Sequence, residues 1–160
     1  MRALFALALL GLTALPGTAD AATYERPLAL EDLAQDAERA IVGEVISTWI
    51  ERTPNGIWTV ASIVVDETLH GEHEPVVEVR WPGGVVGKIE LIVPGTPSVH
   101  VGDDLLAFVS PEGQFVGLAQ GAFQIDDGKA VRDMSGIHFR ESGEAAEDTF
   151  PLDTIREILR

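Results

Sequence analysis

The stretch Trp81-Pro-Gly-Gly-Val-Val-Gly-Lys-Ile-Glu-Leu-Ile-Val-Pro-Gly-Thr-Pro-Ser-Val-His-Val-Gly-Asp-Asp104 holds five Gly and three Pro. It has two readings: GGVVGK is a cradle for phosphate, or its glycines turn a β-strand around a corner. A phosphate loop needs G-x-x-x-x-G-K-[ST] opening a helix. Counting back from Gly87-Lys88, the first glycine falls on Pro82, and Ile89 stands where the Ser or Thr belongs. The dinucleotide pattern G-x-G-x-x-G fails as well, because Gly83 and Gly84 are adjacent. Residues 88–93 alternate as a strand, with Ile89, Leu91 and Val93 expected inward. No helix N-terminus is then available to hold a phosphate. The glycines are read as bends in a β-structure.

The flanks extend that pattern. Residues 41–50 (IVGEVISTWI) and 57–69 (IWTVASIVVDETL) are rich in β-branched residues, and Pro54-Asn55-Gly56 lies between them. Gly at such a turn is free to take positive φ, so the two runs are predicted to pair as a hairpin. Val77, Val79 and Trp81 alternate with Glu78 and Arg80, which means one face buried and one wet. Shorter strands are expected at 105–109, 115–119, 122–125 and 130–131, with Asp126-Asp127-Gly128 as a hairpin turn. Leu30, Leu33, Ala34 and Ala37 fall at helical spacing, predicting a short helix over 29–39. Leu152, Ile155, Ile158 and Leu159 predict a second helix at the C-terminus. The expected organisation is therefore a leader and short helix over 22–38, a β-barrel over 39–132, an acidic linker over 133–148 and a helix over 149–160. Sequential strands with short turns make a largely antiparallel sheet, and closure into a barrel would hide its edges.

Residues 1–21 read as a signal peptide. Arg2 precedes an apolar run to Leu12, and Ala19-Asp20-Ala21 supplies a small-x-small cleavage site. The run is shorter than the roughly 20 apolar residues that a spanning helix needs. Export to the periplasm or the extracellular space is expected. There is no cysteine, so neither a disulfide framework nor a lipid-bearing Cys is present, and no stable membrane anchor is expected. Formal charge is −15. Arg2 and Asp20 cancel, so cleavage leaves it unchanged. A chain this acidic repels phosphate backbones and is not expected to bind nucleic acid.

The order of strand motifs from Ala37 onward resembles the netrin-like, TIMP-type OB-fold modules. The matching residues are Ala40-Ile41-Val42-Gly43-Glu44-Val45, Val64-Val65-Asp66-Glu67-Thr68-Leu69-His70-Gly71 and Val76-Val77-Glu78-Val79. They end with Val101-Gly102-Asp103-Asp104-Leu105-Leu106-Ala107-Phe108. The chain is also similar to a group of exported bacterial proteins in which GG-x-x-G and V-P-G-x-P segments precede Q-G-x-F, here Gln120-Gly121-Ala122-Phe123. The resemblance covers about residues 38–125. It implies a mainly β fold: an antiparallel OB-like β-barrel with a short N-terminal helix and a C-terminal helix. TIMP-type inhibitors chelate a protease zinc through an N-terminal cysteine. This chain has no Cys, and its expected mature start is Ala22-Thr23-Tyr24. The barrel carries over and that mechanism does not.

Candidate chemistry is sparse. His70, Glu72 and His73, with Glu74, place two imidazoles and two carboxylates within five residues, the best metal-ligand grouping in the chain. Asp103-Asp104 and Asp126-Asp127 could offer oxygens to calcium, but neither fits the EF-hand spacing and Asp is favoured in turns anyway. No serine lies in a G-x-S-x-G elbow. Trp49 and Trp58 are expected to come near one another across the hairpin, as core or as an exposed aromatic pair. His100 sits in the long loop 94–104, where a binding rim is expected. The expected function is a non-enzymatic exported module that binds a protein or peptide, inhibition of an exported protease being one form of that role, with no cofactor. The alternative is a metal-binding protein or metal-dependent enzyme using His70, His73 and nearby acids. Sugar binding through the tryptophans is a third option.

Overall fold

The structure is a computed structural model and describes residues 22–24, 26–140 and 148–160. The signal-peptide expectation, and residues 141–147 of the expected linker, lie outside them. Along the chain run β1 (Ala22–Tyr24), α1 (Leu30–Asp36), β2 (Arg39–Thr53), β3 (Gly56–His70), β4 (Val76–Pro82), β5 (Gly84–Val86) and β6 (Ile89–Leu91). Then come β7 (Asp104–Val109), a 3-10 turn (Leu118–Gly121), β8 (Ala122–Asp126), β9 (Lys129–Val131), β10 (Ile137–Phe139), β11 (Thr149–Pro151) and α2 (Leu152–Ile158).

Seven strands form one sheet in the order β11-β9-β8-β7-β2-β3-β4, with antiparallel neighbours throughout. The predicted hairpin is its spine: Thr53 pairs with Gly56, and the ladder runs back to Ala40 opposite His70. No ladder joins β4 to β11 among the described residues. At one place β4 is tied to the segment that follows β7. The Arg80 N–H donates to the Gly113 carbonyl at 2.9 Å, and Arg80 bridges Gln114 in the parallel sense. Phe115 in turn bridges Val109 antiparallel.

A bulge between Val45 and Ser47 decides which side chains face inward. Before it, Ile41 and Val45 point into the inner core. After it the parity reverses: Thr48 opposes inward Ala61, so Ser47, Trp49 and Glu51 turn outward. One extra residue moves every later side chain to the other face. Just upstream, Gly43 lies so close to β3 that a Cβ there would run into the Val64 carbonyl oxygen.

Two cores lie on opposite faces of the sheet. The inner one gathers Ile41, Val45, Ala61, Ile63, Val77, Val79, Trp81, Leu105, Ala107, Val109 and Phe115. The outer one packs Leu106, Phe108 and Phe123 beneath Leu30 and Leu33 of α1 and Ile155 of α2. Alternate β7 residues feed the two cores, so β7 is buried on both faces except at Asp104. The helices cover the outer face over β7, β8 and the end of the β2–β3 hairpin at residues 40–42 and 67–69. The outer face toward the hairpin turn, over Trp49, Trp58 and Arg80, carries no helix among the described residues.

The structure departs from the sequence reading in four places. Residues 88–93 are not a core strand: β5 and β6 pair only with each other, and Ile89 and Ile92 are 55% and 70% exposed. Gly87, at φ 62°, closes the β5–β6 turn, so its left-handed backbone starts a small ribbon rather than carrying a strand across the sheet. The strand expected over 115–119 ends after Phe115, because Gly117 and Leu118 both have positive φ and lead into the 3-10 turn. Residues 22–27 were expected to be a loose leader, but β1 pairs with β10 in parallel. Residues 133–140, placed in the expected linker, bury Met134 and Ile137 in a small third cluster.

Candidate functional site

The open outer face holds two of the singled-out residues. By register, Ser47, Trp49 and Glu51 of β2 lie opposite Ser62, Val60 and Trp58 of β3, which lie opposite Glu78, Arg80 and Pro82 of β4. Trp49 and Trp58 are thus diagonal neighbours, an arrangement within reach of aromatic side chains. Both are half-buried, and Val60, directly across from Trp49, is buried although no helix covers this face. Polar groups hold the rings. The Trp49 Nε1–H donates to Glu51 Oε1 at 3.0 Å. The Arg80 guanidinium lies 5.4 Å from the Trp58 ring centroid, a cation–π distance. Trp81 faces the other way and packs in the inner core, 5.6 Å from Phe115.

His100 lies at the rim of a groove of about 470 Å³. Thr59 of β3, Trp81 of β4, Gly84 and Glu90 of the ribbon, and Ile92 just after it also line it. Here the predicted loop does meet the sheet. The His100 ring is 72% exposed, and its Nδ1 is 3.7 Å from Asp103 Oδ2. That same oxygen accepts the His100 backbone N–H at 2.8 Å and the Gln124 amide at 3.4 Å. Asp103 therefore closes its own loop. Asp126 ends β8, and Asp127, at φ 46°, turns the chain into β9.

The histidines of the metal grouping sit at the other end of the β2–β3 hairpin. His70 ends β3, and Glu72 and His73 follow in an exposed turn. His73 Nδ1 is 3.0 Å from Thr68 Oγ1, and Glu74 is 2.9 Å from Arg39. The hydrogen bonds that Arg39 donates to Glu74, first, and to Glu38 raise its pKa above the ordinary value. Among the described residues no group of three or more His, Asp or Glu is placed to hold a metal ion. His138 lies on β10, paired with Thr23 of β1, away from these positions in the fold.

Sequence reasoning missed Arg132. It follows β9 and is only 4% exposed, although nothing in its neighbours announces a buried cation. Its Nη1 donates to the carbonyls of Leu28 (2.9 Å) and Gln120 (3.4 Å). Its guanidinium is 5.3 Å from the Phe123 ring and 5.8 Å from that of Phe150. Burial pushes its pKa down, and nearby Asp148 opposes that shift. Gln120 Oε1 also accepts the Leu28 N–H at 2.8 Å. Arg132 and Gln120 thus clamp the segment before α1 onto the sheet. A cleft of about 640 Å³ beside them is lined by Leu28, Phe150 and Ile158.

None of the described helices is long and apolar enough to cross a membrane. No protein-family model, no curated protein and no solved structure matches this chain.

Proposed function

We propose that this chain is an exported, non-enzymatic β-module that binds a protein or peptide partner through the open outer face of β2–β4, inhibition of an exported protease being one form of that role. The observation that carries the reading is the half-exposed Trp49–Trp58 pair, on the part of the sheet that the helices leave bare. Rigid aromatic side chains ringed by Glu51, Glu78 and Arg80 match the composition of interface hot spots, with an apolar centre and a polar rim. The proposal extends to the architecture. The sheet curls into an OB-like barrel, in which β2, β3, β4, β7 and the short segment at Gln114-Phe115 surround the inner core. The Arg80–Gly113 hydrogen bond and the contribution of all five segments to that core support it.

The test uses immobilised protein and an extract of exported proteins. A partner should be retained by the unaltered chain, and retention should fall at least roughly tenfold in Trp49→Ala/Trp58→Ala. If the unaltered chain and the double variant retain the same proteins equally, or neither retains any, the reading fails.

A further inference from the structure

Beyond the bulge, the second edge of β2 carries no strand ladder among the described residues. β7 pairs with β2 only as far as Glu44 opposite Asp104. The last bonds on that side join Val45 to Asp103 (2.9 Å) and Gly102 (2.8 Å), after which the chain carrying Val101 and His100 leaves the edge. Along residues 46–53 no strand is hydrogen-bonded to β2 on that side among the described residues, although Gly84 of β5 lies against the Ile50 side chain.

The ladder shows which backbone groups face the gap. The Ile57 carbonyl accepts the Gly83 N–H and the Val65 N–H donates to Pro75, so odd-numbered residues of β3 turn toward β4. Trp58, Val60 and Ser62 therefore turn toward β2, where they oppose Glu51, Trp49 and Ser47. Antiparallel alternation then leaves Thr48, Ile50 and Arg52 with N–H and C=O directed to the open side. Their side chains are exposed, as is that of Ile46 (49%, against 38% for Ile50). Unpaired edges are templates for another chain, and proteins blunt them with Lys, Pro or short strands. Residues 46–53 contain neither Lys nor Pro, and their two charges, Glu51 and Arg52, lie together near the hairpin turn.

We infer that this edge receives an extended peptide segment as an added strand, in line with β7, and that the segment alternates apolar with basic residues. Charge complementarity selects the occupant. Glu44 and Asp104 are direct cross-strand neighbours where β7 leaves the edge, and neither has an ion-pair partner among the described residues. Like charges directly opposite one another are unfavourable, and a Lys or Arg on the incoming strand relieves them. Glu51 adds a third carboxylate along the same stretch. The net charge of −15 that attracts such a segment repels a second copy of this chain. Main-chain bonds to Thr48, Ile50 and Arg52 supply affinity, while Ile50 on one face and Trp49 on the other choose side chains. This inference rests on the peptide-binding reading above and places the main-chain contact at the edge beside the tryptophan face.

The experiment titrates the whole protein with a labelled short peptide alternating Lys and Val. Two controls are used: a Glu–Val counterpart, and the Lys–Val peptide N-methylated at every second backbone nitrogen. The Lys–Val peptide should bind and slow hydrogen exchange at the amides of Thr48, Ile50 and Arg52. N-methylation, exchange of Lys for Glu, and Thr48→Pro should each weaken binding at least roughly tenfold. Thr48→Pro removes an outward N–H without touching the β2–β3 ladder. If that variant fails to fold, the N-methylated peptide against the unaltered protein decides the question alone. Equal binding of the N-methylated or acidic peptide overturns the inference, as does no binding of any peptide. So does a dimer of the unaltered protein that Thr48→Pro abolishes, since the edge would then serve a second copy. Binding lost in Trp49→Ala/Trp58→Ala but kept in Thr48→Pro overturns the edge and leaves the peptide-binding reading standing.

Discussion

Three tryptophans on neighbouring strands fall into two environments, and strand parity, with one bulge, separates them. Trp81 continues the alternation of Val77 and Val79 and ends in the inner core. Trp58 is across the ladder from Pro82, one step out of phase with Trp81, and faces outward. The sequence shows the alternation of β4 without ambiguity. It cannot show that Trp49 joins Trp58 on the outer face, because a bulge of one residue intervenes in β2. The two environments predict different costs. Trp81→Ala should lower unfolding free energy by about 3–5 kcal/mol through lost burial and a cavity. Trp58→Ala should lower it by about 1 kcal/mol or less, since that ring is half-exposed and its main partner is one cation. Urea unfolding of both variants measures the difference, and equal losses would place Trp58 in a core.

At the scale of elements, both helices are held by the sheet rather than by their own length, since seven residues form no stable helix alone. α2 is anchored by buried Leu152 and Ile155, and Arg156 reaches Glu67 of β3 at 2.6 Å. Ala29 at the N-cap of α1 has no side-chain oxygen, so the end of this helix depends on Asp32. The Asp32 carboxylate accepts the Ala29 N–H at 3.0 Å and the Arg26 guanidinium at 2.7 Å. Arg26 first, and the backbone N–H second, hold its pKa below the ordinary carboxylate value. A depressed folded-state pKa stabilises above the unfolded value and loses that contribution as pH falls through the folded one. Thermal midpoints of the native protein should therefore fall as pH drops below about 4, and Asp32→Asn should show a smaller fall over the same range. An identical pH profile in the variant would remove Asp32 from this role. The amphipathic spacing made the existence of both helices legible. That α2 follows directly on β11, which pairs with β9, was not, since this depends on a contact across the chain.

At the scale of the molecule, 26 acidic residues against 11 Lys and Arg leave a surplus that few ion pairs absorb. Self-repulsion of this kind opposes the compact state and is screened by salt. Raising sodium chloride from low to near-molar concentration should therefore raise the thermal midpoint. A midpoint that falls with salt would mean that the paired charges, such as Arg156–Glu67 and Arg39–Glu74, outweigh the surplus. The same surplus sets the sign of the partner proposed for the β2 edge.

What the sequence determined by itself is local: that the long runs 41–50, 57–69 and 76–81 are β, where the hairpin turns, which face of β4 is apolar, and that GGVVGK is no phosphate loop. Each follows from side-chain period and turn chemistry within a few residues. Tertiary structure decided the rest. It made residues 89–91 half of a two-stranded ribbon that joins no other ladder, because an alternating strand with no partner edge has no core to face. It buried Arg132, because only the meeting of the segment before α1, the 3-10 turn and β11 encloses that position. And it stopped β7 at Asp104, leaving β2 bare beyond it. Strand ends are set by where neighbours diverge in space, which no periodicity along one chain can express.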